Sequence, residues 1–556
     1  MAGRHARRRP RRARSRSSPL VIDRAVPKVG GAYRAAPTGR PRVDAAPRRR
    51  YGRKRSTGRL LAGVLVLAAL AGLAAFLLTR PAAITVRATP SDAVIVLDGS
   101  ISATGTLEAR EVTPGAHTVR VTRKGFAPVE RAITAKRMRT ARLSLTLAPL
   151  PLEVSVRTEP SGATCTIECA DGSTVETLTP CTVRAPAGQT TVRLTKTGRN
   201  PFERRVFLDE PLAISCILDP EGQLLHGLGT IATSGAPKGV SITPDGREVW
   251  TSILNGPPSI EIFDVRTGKR TGEIDLGEHG AVEVIFNRVG TLAYTSQMET
   301  ARCFEIDVKT RRVLRAFDTK SAWTKWVELS PDEKTLYASN WSGDDVSIID
   351  LATGALVKRV PVSNTPRGMY ATADGTTLYV GGFDSGQLDR IDLATGKVTA
   401  AFTGGKALRH LVGDERTGRL YISDMAADCV WVHDMRTGTT KKLVDTDEKP
   451  NTIVLSPDGR VLFVSCRGEN NPKSYYLPGP EWGSILVFDA LTGRPLDAVV
   501  CGNQPTALDI SADGRLLVSS DFLDNRLRLY EVPPYETLLK GGGGRYEAHF
   551  AEIKKR

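Results

Sequence analysis

The residues of this sequence most able to do chemistry are four cations at one position of an internal repeat. Each is placed at the start of a predicted innermost strand: Lys238, Lys325, Arg367 and Arg409. The same position in the other repeats is assigned to Ala281, Asn451 and Thr506. Cations that converge at a concave opening favour an anionic ligand, such as a carboxylate, a phosphate or an acidic loop. The alternative is that they are solvated rim residues.

Aromatic residues are predicted on the same face as these cations. The sixth repeat is longer than the others by about 13 residues, and its inserted segment carries Tyr475, Tyr476 and Trp482. A neighbouring loop adds Trp323 and Trp326. Long loops in compact repeats usually bind something, and these aromatic types are enriched in recognition surfaces. The alternative is that these aromatic residues only pack together and close the opening that the repeats surround. The four cations and five aromatic residues form our candidate ligand-binding set.

No arrangement typical of catalysis is found. The seven His residues are scattered, with no pair at ligand spacing, and the sequence has no nucleophile elbow, phosphate loop or dinucleotide fingerprint. Asp residues recur in the turns of every repeat, which favours turn capping over acid catalysis or metal binding. We therefore identify no catalytic residue and no metal ligand, and we expect no cofactor.

The elements that must position the candidate residues are short strands in a repeat of about 42 residues. Six turns have Asp followed three residues later by Thr, at Asp-to-Asp steps of 43, 43, 42, 42 and 55 residues. The six Asp residues are Asp264, Asp307, Asp350, Asp392, Asp434 and Asp489. A second marker, such as Pro457-Asp458-Gly459, lies upstream of each turn. Both markers have the residue types of tight hairpin turns, so we predict four strands in each unit. Seven such units predict a ring of propeller blades.

These markers resemble the YVTN family of bacterial β-propellers, whose consensus blade has Pro-Asp-Gly, Tyr-Val and Asp-x-x-Thr-Gly landmarks. The resemblance covers residues 224–540 and implies a seven-bladed propeller. It implies little about function, because propellers of this kind serve both binding proteins and some enzymes. The segment Leu224–Ala232 precedes the first complete blade, and we predict that it closes the ring by pairing with the last blade.

Two smaller tandem units precede the propeller, at residues 84–148 and 152–219. The first has the segment Val86–Ala93 with Pro90 at its centre, and the second has Val156–Ala163 with Pro160. These segments resemble the PEGA domain, a small all-β module named for a Pro-Glu-Gly-Ala-like motif. The resemblance implies a surface-associated stalk or interaction module.

The net charge of +17 belongs to one end of the chain. Residues 1–59 carry a net charge of +18 and the remainder carries −1, so nucleic-acid binding by the whole protein is excluded. We predict that residues 1–59 are a disordered cytoplasmic tail that sets membrane topology and attracts anionic headgroups. Binding of nucleic acid through residues 4–16 is the alternative.

An uninterrupted apolar run follows this tail at Leu60–Leu78. Nineteen residues of helix span roughly 28 Å, about one hydrocarbon core, so we predict a single transmembrane helix at 60–79. A buried core helix and a cleaved signal peptide are the alternatives. The Arg-rich flank indicates a cytoplasmic N-terminus and a periplasmic or extracellular C-terminal part, in a protein of the cytoplasmic membrane.

Four of the eight cysteines lie in the second PEGA-like unit: Cys165, Cys169, Cys181 and Cys216. In an oxidising compartment they permit two disulfides with three possible pairings. A zinc site and free thiols are the alternatives.

The predicted fold class is mainly β, with a seven-bladed propeller, two PEGA domains, one transmembrane helix, a disordered basic tail and a C-terminal tail at 541–556. The predicted function is a ligand- or protein-binding scaffold of the cell envelope, with an envelope protein or an anionic ligand as the partner. A propeller enzyme of lactonase or lyase type, acting on an anionic substrate, is the alternative. A purely structural envelope element would leave the long sixth-repeat loop unexplained.

Overall fold

The computed structural model describes residues 65–73, 76 and 80–554. The chain divides into two compact units, Met1–Arg80 and Pro81–Arg556. In the first unit, residues 65–73 are helical (α1). The predicted tail at 1–59 lies outside the described residues.

One component of the predicted fold class is wrong. The fold is mainly β, as expected, but among the described residues no helix has the length and apolar character needed to span a membrane. Of the predicted transmembrane helix at 60–79, residues 60–64, 74–75 and 77–79 lie outside the described part of the chain. Within that part no sheet closes on itself, since each keeps two edge strands.

The second unit begins with a two-sheet module. One sheet has the order β4-β1-β7 and the other β3-β2-β5-β6. The strands are β1(Ala82–Thr89), β2(Val94–Leu97), β3(Ile101–Thr104), β4(Thr106–Val112), β5(Gly115–Thr122), β6(Val129–Ala135) and β7(Thr140–Thr146). Alternate residues of β1 are buried, which is the period of a strand with one face on a core. Ile84, Ile95 and Val119 belong to that core.

A second module repeats this topology with the orders β11-β8-β14 and β10-β9-β12-β13. The strands are β8(Pro151–Glu159), β9(Thr164–Glu168), β10(Thr174–Leu178), β11(Cys181–Pro186), β12(Gly188–Thr195), β13(Phe202–Leu208) and β14(Leu212–Ile217). The modules touch through Arg123, whose guanidinium carbon lies 4.0 Å from the centroid of the Phe207 ring. Lys124 adds an ion pair of 2.6 Å with Glu210.

The cysteines of the second module are free thiols in this structure. Burial, and then the neighbouring Cys181, raise the pKa of the Cys165 thiol to about 12. Cys216 also acts on Cys165, whereas Cys169 lies at the end of β9 and bonds through its backbone N–H to Ser173. The pairing into disulfides stays a prediction, with Cys165 and Cys181 as the pair brought together between the two sheets.

Seven four-stranded antiparallel sheets follow, which we call blades 1 to 7. Blades 1 to 4 consist of β16(Pro237–Ile242), β17(Glu248–Ile253), β18(Ile260–Asp264), β19(Arg270–Ile274); β20(Val284–Phe286), β21(Leu292–Gln297), β22(Arg302–Asp307), β23(Arg312–Asp318); β24(Thr324–Leu329), β25(Thr335–Asn340), β26(Asp345–Asp350), β27(Leu356–Pro361); and β28(Pro366–Ala371), β29(Thr377–Gly382), β30(Leu388–Asp392), β31(Val398–Phe402). Blades 5 and 6 consist of β32(Leu408–Asp414), β33(Arg419–Asp424), β34(Cys429–Asp434), β35(Thr440–Asp445); and β36(Pro450–Leu455), β37(Val461–Cys466), β38(Ser484–Asp489), β39(Pro495–Val500).

Blade 7 is assembled from both ends of this region. Its first three strands are β40(Pro505–Ile510), β41(Leu516–Asp521) and β42(Arg526–Glu531), and its outer strand is β15(His226–Ala232). Ile231 of β15 lies opposite Leu527 of β42. The first strands of successive blades contact one another, and β16 of blade 1 contacts β40 of blade 7, so the blades form a ring.

The repeated turns have the predicted capping. Asp264 Oδ1 accepts hydrogen bonds from the backbone N–H and the hydroxyl of Thr267, both at 2.7 Å. The same pair of bonds recurs between Asp350 and Thr353. These side-chain to backbone bonds hold each tight turn between the third and fourth strands.

Two helices end the described chain, α2(Tyr535–Leu539) and α3(Gly544–Ile553). Helix α3 packs on β39 of blade 6. Buried His549 lies with its Nε2 2.8 Å from Asp447 Oδ2, and the carbonyl of Ile553 accepts a hydrogen bond from the backbone N–H of Trp482. Helix α3 is therefore held by hydrogen bonds against blade 6, next to the end of its long loop.

Candidate functional site

A cavity of about 510 Å³ lies at the end of the ring where the first strands begin. Two repeated positions supply most of its lining. The second residue of the first strand, or its counterpart, supplies Lys238, Val282, Lys325, Arg367 and Arg409. The residue directly after the second strand supplies Leu254, Met298, Trp341, Phe383, Met425 and Arg467.

The first strands have a β-bulge at the end that meets the cavity. The pairing of the first with the second strand shifts near its start in six of the seven blades, for example between Thr324 and Trp326 in blade 3. Such β-bulges commonly redirect a side chain at the end of a strand. The residue before the strand has a positive φ in several blades, and at Trp323 this angle is 57°. The bulge, together with the residue of positive φ where one precedes the strand, sets the direction in which the side chain of the second residue points.

Three of the cations have no acid partner. Among the described residues, the side chains of Lys238, Lys325 and Arg409 make no ion pair with a carboxylate. Arg409 is only 7% exposed. A buried charge without a partner is unfavourable in a folded protein, because desolvation of the charge is not compensated.

Arg367 differs from these three cations. It is 2% exposed, and its Nη2 donates to Glu283 Oε1 at 2.7 Å, while Nη1 donates to the carbonyl of Lys325 at 3.0 Å. Glu283 belongs to blade 2 and Arg367 to blade 4, so the ion pair crosses the ring. The charge of Arg367 is therefore largely compensated within the protein.

Burial and mutual repulsion lower the pKa values of the remaining cations. Burial, followed by Arg409, Arg467 and other cations, holds the pKa of Lys238 well below its ordinary value. Burial and then Arg367 and Arg409 lower the pKa of Lys325 to about 7. Burial also lowers the pKa of Arg467 to about 10. An anion in the cavity would favour the charged form of each group.

Aromatic rings form the walls of the cavity. Lys325 Nζ lies 3.5 Å from the centroid of Trp341 and 5.6 Å from that of Trp323. The rings of Tyr475 and Tyr476 lie 4.1 Å apart, centroid to centroid, in the long loop of blade 6. That loop is held against the ring, because Gln504 Nε2 donates to the carbonyl of Tyr475 at 2.8 Å. Apolar walls lower the local dielectric, so a cation there interacts more strongly with an anion than a solvated cation does.

The structure brings seven of the nine predicted residues to this cavity, and two lie elsewhere. The seven are Lys238, Lys325, Arg367, Arg409, Trp323, Tyr475 and Tyr476. Trp326 follows Lys325 on the same strand and packs on His410, with ring centroids 4.6 Å apart. The ring of Trp326 also lies under Arg367, whose guanidinium carbon is 5.5 Å from the ring centroid, so Trp326 packs behind a cavity residue and does not line the cavity itself. Trp482 lies on the returning part of the loop, next to helix α3.

Sequence reasoning missed one repeated position and misplaced one residue. The position after the second strand, which holds Trp341, Phe383 and Arg467, recurs once in each blade, and this periodicity is the sequence signal that identifies it. In blade 2 the counterpart of Lys238 is Val282 and not Ala281, because Phe286 pairs with Ala293 as Ile242 pairs with Val249. Asn451 and Thr506 hold the same position in blades 6 and 7 but do not line the cavity.

Within the described residues no group of three or more His, Cys, Asp or Glu side chains is arranged to hold a metal ion. The first strand of blade 3 also carries an acid with a raised pKa, Glu328. Burial raises the pKa of Glu328 to about 7, although Trp326 Nε1 lies 3.4 Å from its Oε2.

Replacement of Glu328 by Gln should make the ring more stable than wild type above pH 7. An acid whose pKa is raised in the folded state stabilises folding below its ordinary pKa and loses that contribution as the pH rises through the folded value. The advantage of Glu328→Gln should therefore be absent below about pH 4.5 and grow up to about pH 7, reaching the order of 1–3 kcal/mol. Urea unfolding followed by tryptophan fluorescence measures this, because all six Trp residues lie in the ring. An equal effect of the substitution at pH 4.5 and 8 would contradict it.

A ring of four-stranded blades with a loop-lined cavity at one end is the architecture of a β-propeller protein. The two modules that precede it, residues 82–151 and 152–220, match the PEGA domain. The chain is 31% identical to Antigen Lp49 of Leptospira interrogans over 355 residues, which cover 61% of this chain and 77% of the relative. The chain therefore belongs to the family of Antigen Lp49.

Two further proteins are similar over smaller parts or at lower identity. The Seven-bladed beta-propeller protein Rv1057 of Mycobacterium tuberculosis is 30% identical over 141 residues, which are 24% of this chain and 35% of the relative. A chain of Kuenenia stuttgartiensis Hydrazine Synthase has 18% identity and a TM-score of 0.47, with 55% of this chain and 98% of that chain covered. A likeness of this degree to the synthase carries no argument about activity.

Proposed function

We propose that this protein is a seven-bladed propeller of the cell envelope that binds an anionic ligand in the cavity of the ring. The observation that carries the proposal is the buried guanidinium of Arg409, which faces a cavity of about 510 Å³ without an acid partner among the described residues. Lys238 and Lys325, which are partly buried, line the same cavity and likewise make no ion pair with a carboxylate among the described residues. The relative Antigen Lp49 is named as an antigen, which supports a surface-associated protein.

The chemistry of the cavity favours a ligand with two parts. Its anionic group, a carboxylate or a phosphate, would lie between Arg409 and the two lysines, where it offsets the desolvation of these cations. Its remainder would lie against Trp341, Phe383 and the two tyrosines of the blade 6 loop. A cavity of this size encloses a small molecule or the tip of an acidic loop.

Titration of the full-length chain with citrate and with pyrophosphate tests this proposal. Trp323 and Trp341 line the cavity, so binding should change the tryptophan fluorescence. We expect Arg409→Gln and Lys238→Gln each to weaken binding roughly 10- to 100-fold, because a charge-assisted hydrogen bond in an apolar cavity is lost. The same titration at higher salt should show weaker binding.

A matched control is Arg266→Gln, which removes an exposed cation from the turn between the third and fourth strands of blade 1, a turn that supplies no residue to the cavity lining. This variant should bind both probes as the wild type does. Saturable binding that is equal in wild type and Arg409→Gln, or no binding of either probe, would overturn the proposal.

A further inference from the structure

We infer that Lys325 is a nucleophilic amine that forms an imine with a small carbonyl compound bearing a carboxylate. The inference depends on the anion binding proposed above and adds a covalent step to it. It concerns one side chain of the cavity and its two cationic neighbours.

Within the described part of the chain, Lys325 is one of two lysines in the cavity, and it differs from Lys238 in that the guanidinium of the next blade binds at its own backbone, with Arg367 Nη1 donating to the Lys325 carbonyl at 3.0 Å. Its Nζ lies over the ring of Trp341 at 3.5 Å and near Trp323, and among the described residues no carboxylate forms an ion pair with it. Blades 3 and 4 carry Lys325 and Arg367 at equivalent positions, so the amine lies beside one guanidinium group, and Arg409 of blade 5 lies one blade further along the same cavity. Lys238 of blade 1 is separated from Lys325 by Val282 of blade 2.

The surrounding charges favour the neutral amine. Burial, Arg367 and Arg409 lower the pKa of Lys325, while Asp384 and Glu299 act in the opposite direction from exposed positions at the rim. With its pKa lowered to about 7, about half of the Lys325 side chains are unprotonated at neutral pH. For an ordinary lysine the unprotonated fraction is below about one in a thousand. Desolvation beside another cation is a known way to make a lysine amine nucleophilic.

The proposed step is balanced without a further reactant. The carboxylate of the substrate binds to Arg409, and the lone pair of the Lys325 nitrogen forms a bond to the carbonyl carbon. The carbonyl π electrons move to oxygen, and the two hydrogens of the amine leave with that oxygen as one water molecule. The product is a carbon–nitrogen double bond at Lys325, and the reverse reaction with water restores the amine.

Trapping with glyoxylate and sodium cyanoborohydride at pH 7 tests the inference on the full-length chain. Reduction of the imine leaves a stable carboxymethyl group on the lysine, which peptide mass mapping locates. We expect Lys325 to be labelled at least about ten times faster than the exposed Lys397 of the same protein, since its neutral fraction is far larger. Lys325→Arg should lose the fast labelling, and Arg409→Gln should slow it. Acetaldehyde, which lacks the carboxylate, should show a much smaller preference for Lys325.

Labelling of Lys325 no faster than Lys397, or fast labelling at Lys238 instead, would overturn the inference. Citrate titration of the same preparation separates this failure from a failure of the proposed function. If citrate binds and Lys325 is not labelled, anion binding stands and the imine is wrong. If citrate does not bind and Lys325 is not labelled, both are wrong.

Discussion

Replacement of Arg367 by Met should lower the free energy of unfolding of the ring by about 3–5 kcal/mol, because Glu283 would be left without its buried partner. Arg367 is 2% exposed and joins blade 4 to blade 2 through this pair and through the carbonyl of Lys325. Removal of one member of a buried ion pair strands the other in a poorly solvated place. Urea unfolding followed by tryptophan fluorescence reports on the ring alone.

The double variant Arg367→Met with Glu283→Met should be more stable than Arg367→Met alone, because the stranded carboxylate is gone. The exposed Arg312→Met on blade 2 serves as the matched control and should change stability by less than about 0.5 kcal/mol. If Arg367→Met costs less than about 1 kcal/mol, or if the second substitution destabilises the ring further, the pair does not have the assigned role.

Excision of residues 470–478 should weaken binding of the anionic probes roughly 100-fold or more while the ring stays folded. This loop supplies Asn470, Tyr475 and Tyr476 to the cavity, and the two tyrosine rings are exposed, so a ligand that covers them would gain about 2 kcal/mol from each. The ends of the excised segment lie together, since a Cβ added at Gly479 would lie 1.9 Å from the carbonyl oxygen of Glu469. Strands β37 and β38 remain fully paired, from Val461 with Asp489 to Cys466 with Ser484.

The unfolding midpoint of the excised variant, measured by tryptophan fluorescence, shows whether weaker binding comes from loss of the cavity wall or from unfolding of the ring. Tyr475→Ala combined with Tyr476→Ala is the matched variant that keeps the loop backbone, and it should show most of the loss of binding. Unchanged binding in the excised variant would contradict the assignment of the loop as a cavity wall. If the ring of the excised variant no longer unfolds cooperatively, the loop is required for the fold and the prediction is wrong.

Features that depend on neighbouring residues were predictable from the sequence. The bond from Asp350 to Thr353 closes within four residues, so its spacing is visible as a repeat. The cations at the first strands were found in the same way, since Lys325, Arg367 and Arg409 follow one another at the repeat period. The transmembrane helix was predicted from composition alone, and the described part of the chain contains no such span.

Features that depend on contacts across the ring were not predictable. Glu283 and Arg367 are 84 residues apart, and only closure of the ring brings them within a hydrogen bond. The strand of blade 2 that carries this region is short, Val284–Phe286, and it lacks the proline that begins several others, so its register was assigned one residue early. The position of Trp326 was not predictable either, because the β-bulge between Thr324 and Trp326 decides where the neighbouring side chains point and has no signal in the sequence.

The pairing of β15 with β42 has a consequence for how the chain folds during synthesis. These strands begin at His226 and end at Glu531, so the last blade is incomplete until Glu531 has left the ribosome. Contacts between such distant segments form slowly, because the entropy of closing the loop is lost before the contacts form. Until then the free edges of β15 and β40–β42 remain open to other chains, which is the usual origin of misassembly in repeat proteins. The two PEGA modules, complete by Pro220, have their own cores, so they can fold while the ring is still being translated.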